Sequence, residues 1–117
     1  MPHMLLVMEP AGQREARSVP DGKVLYDRMV AFGESLKAHG ILKACDSLGS
    51  TAKAVRVTAR NGKRSLVDGP FAESKEIVGG FFLLDCSRED AIRYAAACPA
   101  AEFATIEVRE VSPCWER

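Results

Sequence analysis

Residues 77–84 read IVGGFFLL, an apolar run broken only by two glycines and closed by Asp85. A strand with one wet face alternates apolar and polar residues. A run that is apolar throughout belongs to a strand covered on both faces. MLLVM at Met4–Met8 is a second such run, ended by Pro10 and Gly12. Two strands of this kind need cover on both of their faces.

The rest of the chain arranges itself around them. Residues 11–18 (AGQREARS) are polar and predict a surface loop. From about Pro20 to Ala38, Leu25, Met29, Phe32 and Leu36 step by four, three and four, which draws one apolar stripe along a helix. Ser18 or Asp21 can cap its start, and Gly40 accepts the left-handed conformation that ends it. Gly33 lies inside this helix at a cost of about 1 kcal/mol relative to alanine. Residues 41–48 predict a short strand. In residues 54–60, Val55, Val57 and Ala59 face one way and Arg56, Thr58 and Arg60 the other. Asn61-Gly62 favours a type I′ turn, so residues 63–67 return as the second strand of a hairpin.

Ser87, with Asp90 three residues on, marks a helix start of the capping-box type. That helix spans about Arg88–Ala97 and stops before Pro99. Ala104, Ile106 and Val108 alternate with Thr105, Glu107 and Arg109 in a last strand, and Ser112–Arg117 is a tail carrying the only tryptophan, Trp115.

The order is strand, helix, strand, hairpin, strand, helix, strand. It predicts a single α+β domain over residues 1–117, a ferredoxin-like split βαβ sheet with an added β-hairpin. Right-handed crossovers place both helices on one face. Alternate residues of the two apolar runs then meet water on the other face, a patch expensive to leave bare. A second copy packed sheet to sheet covers it, giving a homodimer with the form of a dimeric α+β barrel.

Composition narrows the function. Basic and acidic residues both number 16, for a formal net charge of zero. No basic excess points to nucleic acid. No window approaches the roughly 18 apolar residues of a membrane span, and Met4–Met8 is too short for an export signal. A cytoplasmic location is the expectation, with Cys45, Cys86, Cys98 and Cys114 as reduced thiols. No cysteine or histidine stands at metal-binding spacing, so no metal and no cofactor is expected.

Polar residues able to carry chemistry gather at residues 68–76. Asp68 is a base or ligand anchor at the end of a hairpin strand, or simply the turn residue of Asp-Gly-Pro. Gly69 and Pro70 set the backbone direction there. Glu73, Lys75 and Glu76 form a charged cluster directly before a buried strand. Lysine among partly buried acids can serve as acid, base or anion clamp, although solvated loop charges are the commoner case. Phe71 is a core plug or an apolar wall. Asp68 and Lys75 are thus the catalytic candidates, with Gly69, Pro70, Phe71, Glu73 and Glu76 as ligand-binding candidates. His39 near a helix C-terminus reads as a dipole partner, and His3 as a residue of a mobile terminus. Gly79 and Gly80 mark either a bulge or a close backbone approach to a ligand or a partner strand.

The segment DGPFAESKEIVGGFFLLD, residues 68–85, resembles the signature of the YCII-related, or DGPF, family. The opening MLLVMEP, the helix exit AHGIL, the strand VRV and the closing IEVREV resemble family segments in the same order, so the likeness covers nearly the whole chain. It implies a ferredoxin-like, dimeric α+β barrel. Members of the DGPF branch are often encoded beside extracytoplasmic-function sigma factors. A related branch includes a dehydrochlorinase of a chlorinated aromatic, and a His–Asp pair has been proposed as catalytic in some members. In this chain Arg28 or a neighbour stands at the position of that histidine, and the only internal histidine is His39. Two functions follow: binding or transformation of a small molecule in a cleft near residues 68–76, or a non-catalytic accessory role linked to a sigma factor. The sequence names no substrate and proves no enzyme.

Overall fold

The computed structural model describes all 117 residues, Met1–Arg117. Strands β1 (Pro2–Pro10), β2 (Leu42–Ser47), β5 (Glu76–Asp85) and β6 (Thr105–Glu110) form an open antiparallel sheet in the order β2-β5-β1-β6. The two continuous apolar runs are its two central strands. β1 and β2 both run antiparallel to β5, which lies between them. Strands β3 (Val55–Arg60) and β4 (Lys63–Asp68) make a separate two-stranded ribbon. The helices are α1 (Gln13–Ala16), α2 (Val19–Ala38) and α3 (Arg88–Ala97). None is long and apolar enough to cross a membrane.

Local chemistry accounts for the boundaries. Ser18 Oγ accepts from the Asp21 amide at 3.2 Å, so Ser18, not Asp21, caps α2. Ser87 Oγ accepts from the Asp90 amide at 3.1 Å at the head of α3. Gly40 takes a φ of 74° just past α2, and Asn61 and Gly62 take φ of 51° and 75°, as a type I′ turn requires.

Two expectations need correction. Residues 11–18 contain α1, a single helical turn held by long-range contacts and invisible to periodicity. His3 is no terminal bystander. It sits in β1, 5% exposed, with Nδ1 3.0 Å from the Cys86 carbonyl and 3.1 Å from that of Met1. Nδ1 therefore carries the ring proton and donates, which satisfies a polar group inside the fold.

Leu5, Val7, Phe82 and Leu84 point to one sheet face, where Leu36 of α2 and Ala91 and Ala95 of α3 pack on them with Cys98 and Ala100. Both long helices therefore share that face. Phe32 meets Phe82 edge to face, with centroids 5.2 Å apart. On the opposite face Met4 stands beside Leu83, and Leu6 beside Phe81. These four are only half-buried. The β3–β4 ribbon is exposed at every residue. The radius of gyration is 15.9 Å, against about 13 Å for a compact chain of this length. The molecule is a slab of 46 × 41 × 19 Å.

Candidate functional site

Along α2, burial falls from Leu36 toward the N-terminus. Leu36 is fully packed, while Phe32, Met29 and Leu25 are half-buried. The space that opens under this part of the helix is a cavity of about 430 Å³. Leu25, Tyr26, Met29, Val30 and Gly33 of α2 line one side. Val7, Gly79, Gly80 and Phe82 of the sheet line the other, and Phe103 and Ala104 close an end. Gly33 helps to keep it open: a Cβ there would meet Phe82 at 3.5 Å and Cys45 at 3.7 Å, ordinary contact distances.

Charged side chains also contribute to the lining: Glu9, Arg14, Arg17, Glu34 and Asp46. Arg14 Nη1 donates to the Leu48 carbonyl at 2.7 Å and Nη2 to Glu9 Oε2 at 3.3 Å. Arg14 Nε stands 3.1 Å from Glu9 Oε1, but its N–H is not aimed at that oxygen, which is buried without an aligned donor. The pair neutralises charge while leaving one lone-pair site unsatisfied. Gln13 Nε2 donates to the Phe103 carbonyl at 3.0 Å, so α1 is pinned over the cavity's edge from two sides.

The glycine pair in β5 belongs to this wall. The β1–β5 register shifts between Val7 and Met8, which leaves Gly79 as the extra residue of a bulge. A Cβ on Gly79 would overlap Glu9 Oε2. One on Gly80 would come within 2.9 Å of the Asp46 carbonyl. Gly79 is the bulge residue, with the Glu9 side chain against it, and Gly80 is closely approached by the backbone of the neighbouring strand β2.

The residues picked out from the sequence lie elsewhere. Asp68 is exposed at the end of β4, opposite Val55. The Gly69 amide donates to the Ala54 carbonyl at 2.8 Å, and a Cβ there would overlap the Thr51 carbonyl. Pro70 is exposed. Phe71 is half-buried beneath the Arg56 guanidinium, 3.7 Å from its ring centre. Arg56 also pairs with Glu73 at 3.2 Å and donates to Ser74 Oγ at 3.2 Å. The Lys75 carbonyl accepts from the Ala11 amide at 2.9 Å, with its side chain exposed. Glu76 is exposed at the start of β5, opposite Pro10. The structure thus gathers Phe71 and Glu73 around Arg56. It does not pair Asp68 with Lys75, and none of the seven lines the cavity.

Sequence reasoning passed over Glu9, Arg14, Arg17, Tyr26 and Met29 as site residues. The available signal was Gly79-Gly80, which required something to come close. Cys45 also lines the cavity. Burial pushes its thiol up, and Asp46 and Glu34 push it the same way, so it stays protonated at neutral pH. Arg28 forms a two-pronged pair with Glu102 at 2.7 and 3.2 Å. That hydrogen bond holds the Glu102 carboxyl below the usual range. Arg28 is a strap from α2 to the 3₁₀ turn at Pro99–Glu102. No group of three or more His, Cys, Asp or Glu stands close enough together to hold a metal ion.

The family model of the YCII-related domain matches residues 1–115. The chain belongs to the YCII-related family. No curated protein matches it significantly.

Proposed function

We propose that this YCII-related chain binds a small molecule in the cavity between α2 and the sheet, and that it works as a two-fold dimer. The cavity carries the first part. Its volume of about 430 Å³ lies in the range of about 300–1,000 Å³ typical of ligand pockets, and its largely apolar wall with a few charged groups is their usual chemistry. Thermal-shift screening of a metabolite library tests it. Hits should stabilise the parent but not Met29→Trp, which fills the space. Hits that stabilise both alike would place binding elsewhere.

Two bare apolar surfaces support the second part. The antiparallel order β2-β5-β1-β6 supports a ferredoxin-like reading of the sheet, and two such sheets packed face to face would form a dimeric α+β barrel. Met4, Leu6, Phe81 and Leu83 supply the apolar centre of that face. Val55, Val57 and Leu66 lie on one side of the ribbon, 51%, 57% and 56% exposed. An isolated two-stranded ribbon is marginal in water, so a covering partner is needed. Charge favours a second copy. Lys53, Arg56, Arg60, Lys63 and Arg64 face only one acid, Asp68, within residues 53–68. The chain totals are equal, so the remaining body carries four more acids than bases. A basic arm and an acidic body suit reciprocal pairing.

A second reading keeps the polar site at residues 68–76, with Asp68 and Lys75 beside the platform of Arg56 stacked on Phe71. The closeness of that contact, 3.7 Å from the guanidinium to the ring centre, favours it. The accessory role with a sigma factor would use the same ribbon as a docking arm. Four free thiols suit a cytoplasmic setting.

A further inference from the structure

A second concavity adjoins the first. It is an open groove of about 420 Å³ along the start of α2, and Arg14, Arg17, Gly22 and Tyr26 line both spaces. These residues therefore stand at the junction between the apolar interior and the outside. Tyr26 and Gly22 offer shape; the two arginines offer charge, and their situations differ. Three nitrogens of Arg14 are engaged, by Glu9 and by the Leu48 carbonyl. Arg17 has only a long 3.5 Å bond from Nη2 to Gln13 Oε1 and the face of the Phe103 ring, 5.1 Å from its centre. No carboxylate reaches it within ion-pair distance. Glu34 and Asp46 on the inner cavity and Asp27 on the groove are the nearby unpaired acids, and none of them pairs with Arg17. Lys23, on the groove wall, is likewise without an acid partner.

Arg17 is a half-buried residue where the two concavities meet, and its guanidinium has no acid within ion-pair distance, so it is available to an anion. We propose that the ligand is an amphiphilic carboxylic acid. Its apolar body lies in the inner cavity against Met29 and Phe103, and its carboxylate meets Arg17 at the junction. Arginine presents a planar fork matched to a carboxylate's two oxygens, and the charged hydrogen bonds so formed are about twice as strong as neutral ones. This inference rests on the cavity as the ligand site and adds the class of molecule.

Isothermal titration calorimetry with 4-phenylbutyrate, 4-phenylbutan-1-ol and 4-phenylbutylamine tests it, because the three share one apolar body. The acid should bind the parent at least tenfold more tightly than the alcohol, and the amine most weakly. Arg17→Gln should bring the acid down to the alcohol's affinity and leave the alcohol unchanged. Met29→Trp should abolish all three, with Gly33→Leu as a second filling variant should that one fail to fold. Equal binding of acid and alcohol, both lost on filling, would overturn the carboxylate assignment and leave the cavity standing. Tightest binding by the amine would overturn it in the same way. Binding that survives filling, or none by any of the three, would overturn the cavity site itself and this inference with it.

Discussion

The Glu9 carboxylate occupies the volume that a side chain on residue 79 would need, with its Oε2 against the Gly79 backbone and its other contacts made by Arg14. Glycine at 79 is therefore required by a charged neighbour, not by a turn. Gly79→Ala should cost about 1–2 kcal/mol by dislodging the Glu9–Arg14 pair. In a Glu9→Ala background the same change should cost much less, because nothing then fills the space. Urea denaturation of the four proteins in a double-mutant cycle reads the coupling. Additive effects would mean that the pair and the glycine are independent.

Gly33 makes the opposite prediction. A Cβ there makes only ordinary contacts, at 3.5 Å with Phe82 and 3.7 Å with Cys45, so Gly33→Ala should relieve the helix of a poor former and raise stability by about 0.5–1 kcal/mol. The added methyl projects toward Phe82 and Cys45 and narrows the cavity. Higher thermal stability combined with weaker ligand binding is the expected result. A variant that gains stability and binds ligand unchanged would show that Gly33 does not shape the site.

The four thiols should react at separate rates. Cys114 is exposed, Cys45 and Cys86 are half-buried, and Cys98 is 2% exposed. Burial is the leading cause that pushes Cys45, Cys86 and Cys98 up. A disulfide reagent at neutral pH should label one site rapidly, and Cys114→Ser should remove that phase. Cys98 should react only as the chain unfolds. The raised thiols also set a sign for pH. Their contribution is fully present below the ordinary cysteine range and is lost as pH rises through the higher folded values, so stability should fall above about pH 9. Replacing Cys98 by Ala should flatten that alkaline limb.

Much of the fold could be read from the sequence, because its signals are local. Ser18, Gly40, Asn61-Gly62 and Ser87 each fix a boundary through their own backbone or a neighbour's amide. The two apolar runs read as strands with two apolar faces because such strands show no alternation. The cavity could not be read this way. It is made where a helix stripe fails to reach the sheet, from Glu9, Arg14, Met29, Gly79 and Phe103, which no spacing rule relates. α1 is one turn long and owes its place to Gln13 and Arg14, so periodicity had nothing to detect. The charged segment before β5 drew attention because it is dense in polar residues, yet its side chains lie outside the cavity.

Assembly has its own test. Light scattering at micromolar concentration should give the mass of a dimer, and Leu6→Glu, in the centre of the open sheet face, should give a monomer that remains folded. A monomeric parent would contradict the pairing. A dimer that survives Leu6→Glu but is lost with Val57→Glu and Leu66→Glu would move the interface to the ribbon.

The most direct test of the ligand site is amide chemical-shift mapping on the isotope-labelled protein, titrated with a compound that stabilises it. The largest shifts should fall on Met29, Gly33, Gly79, Gly80 and Phe103, around the cavity. Shifts concentrated on Asp68, Phe71, Glu73 and Lys75, with the cavity amides unmoved, would contradict that and place the site at the base of the ribbon.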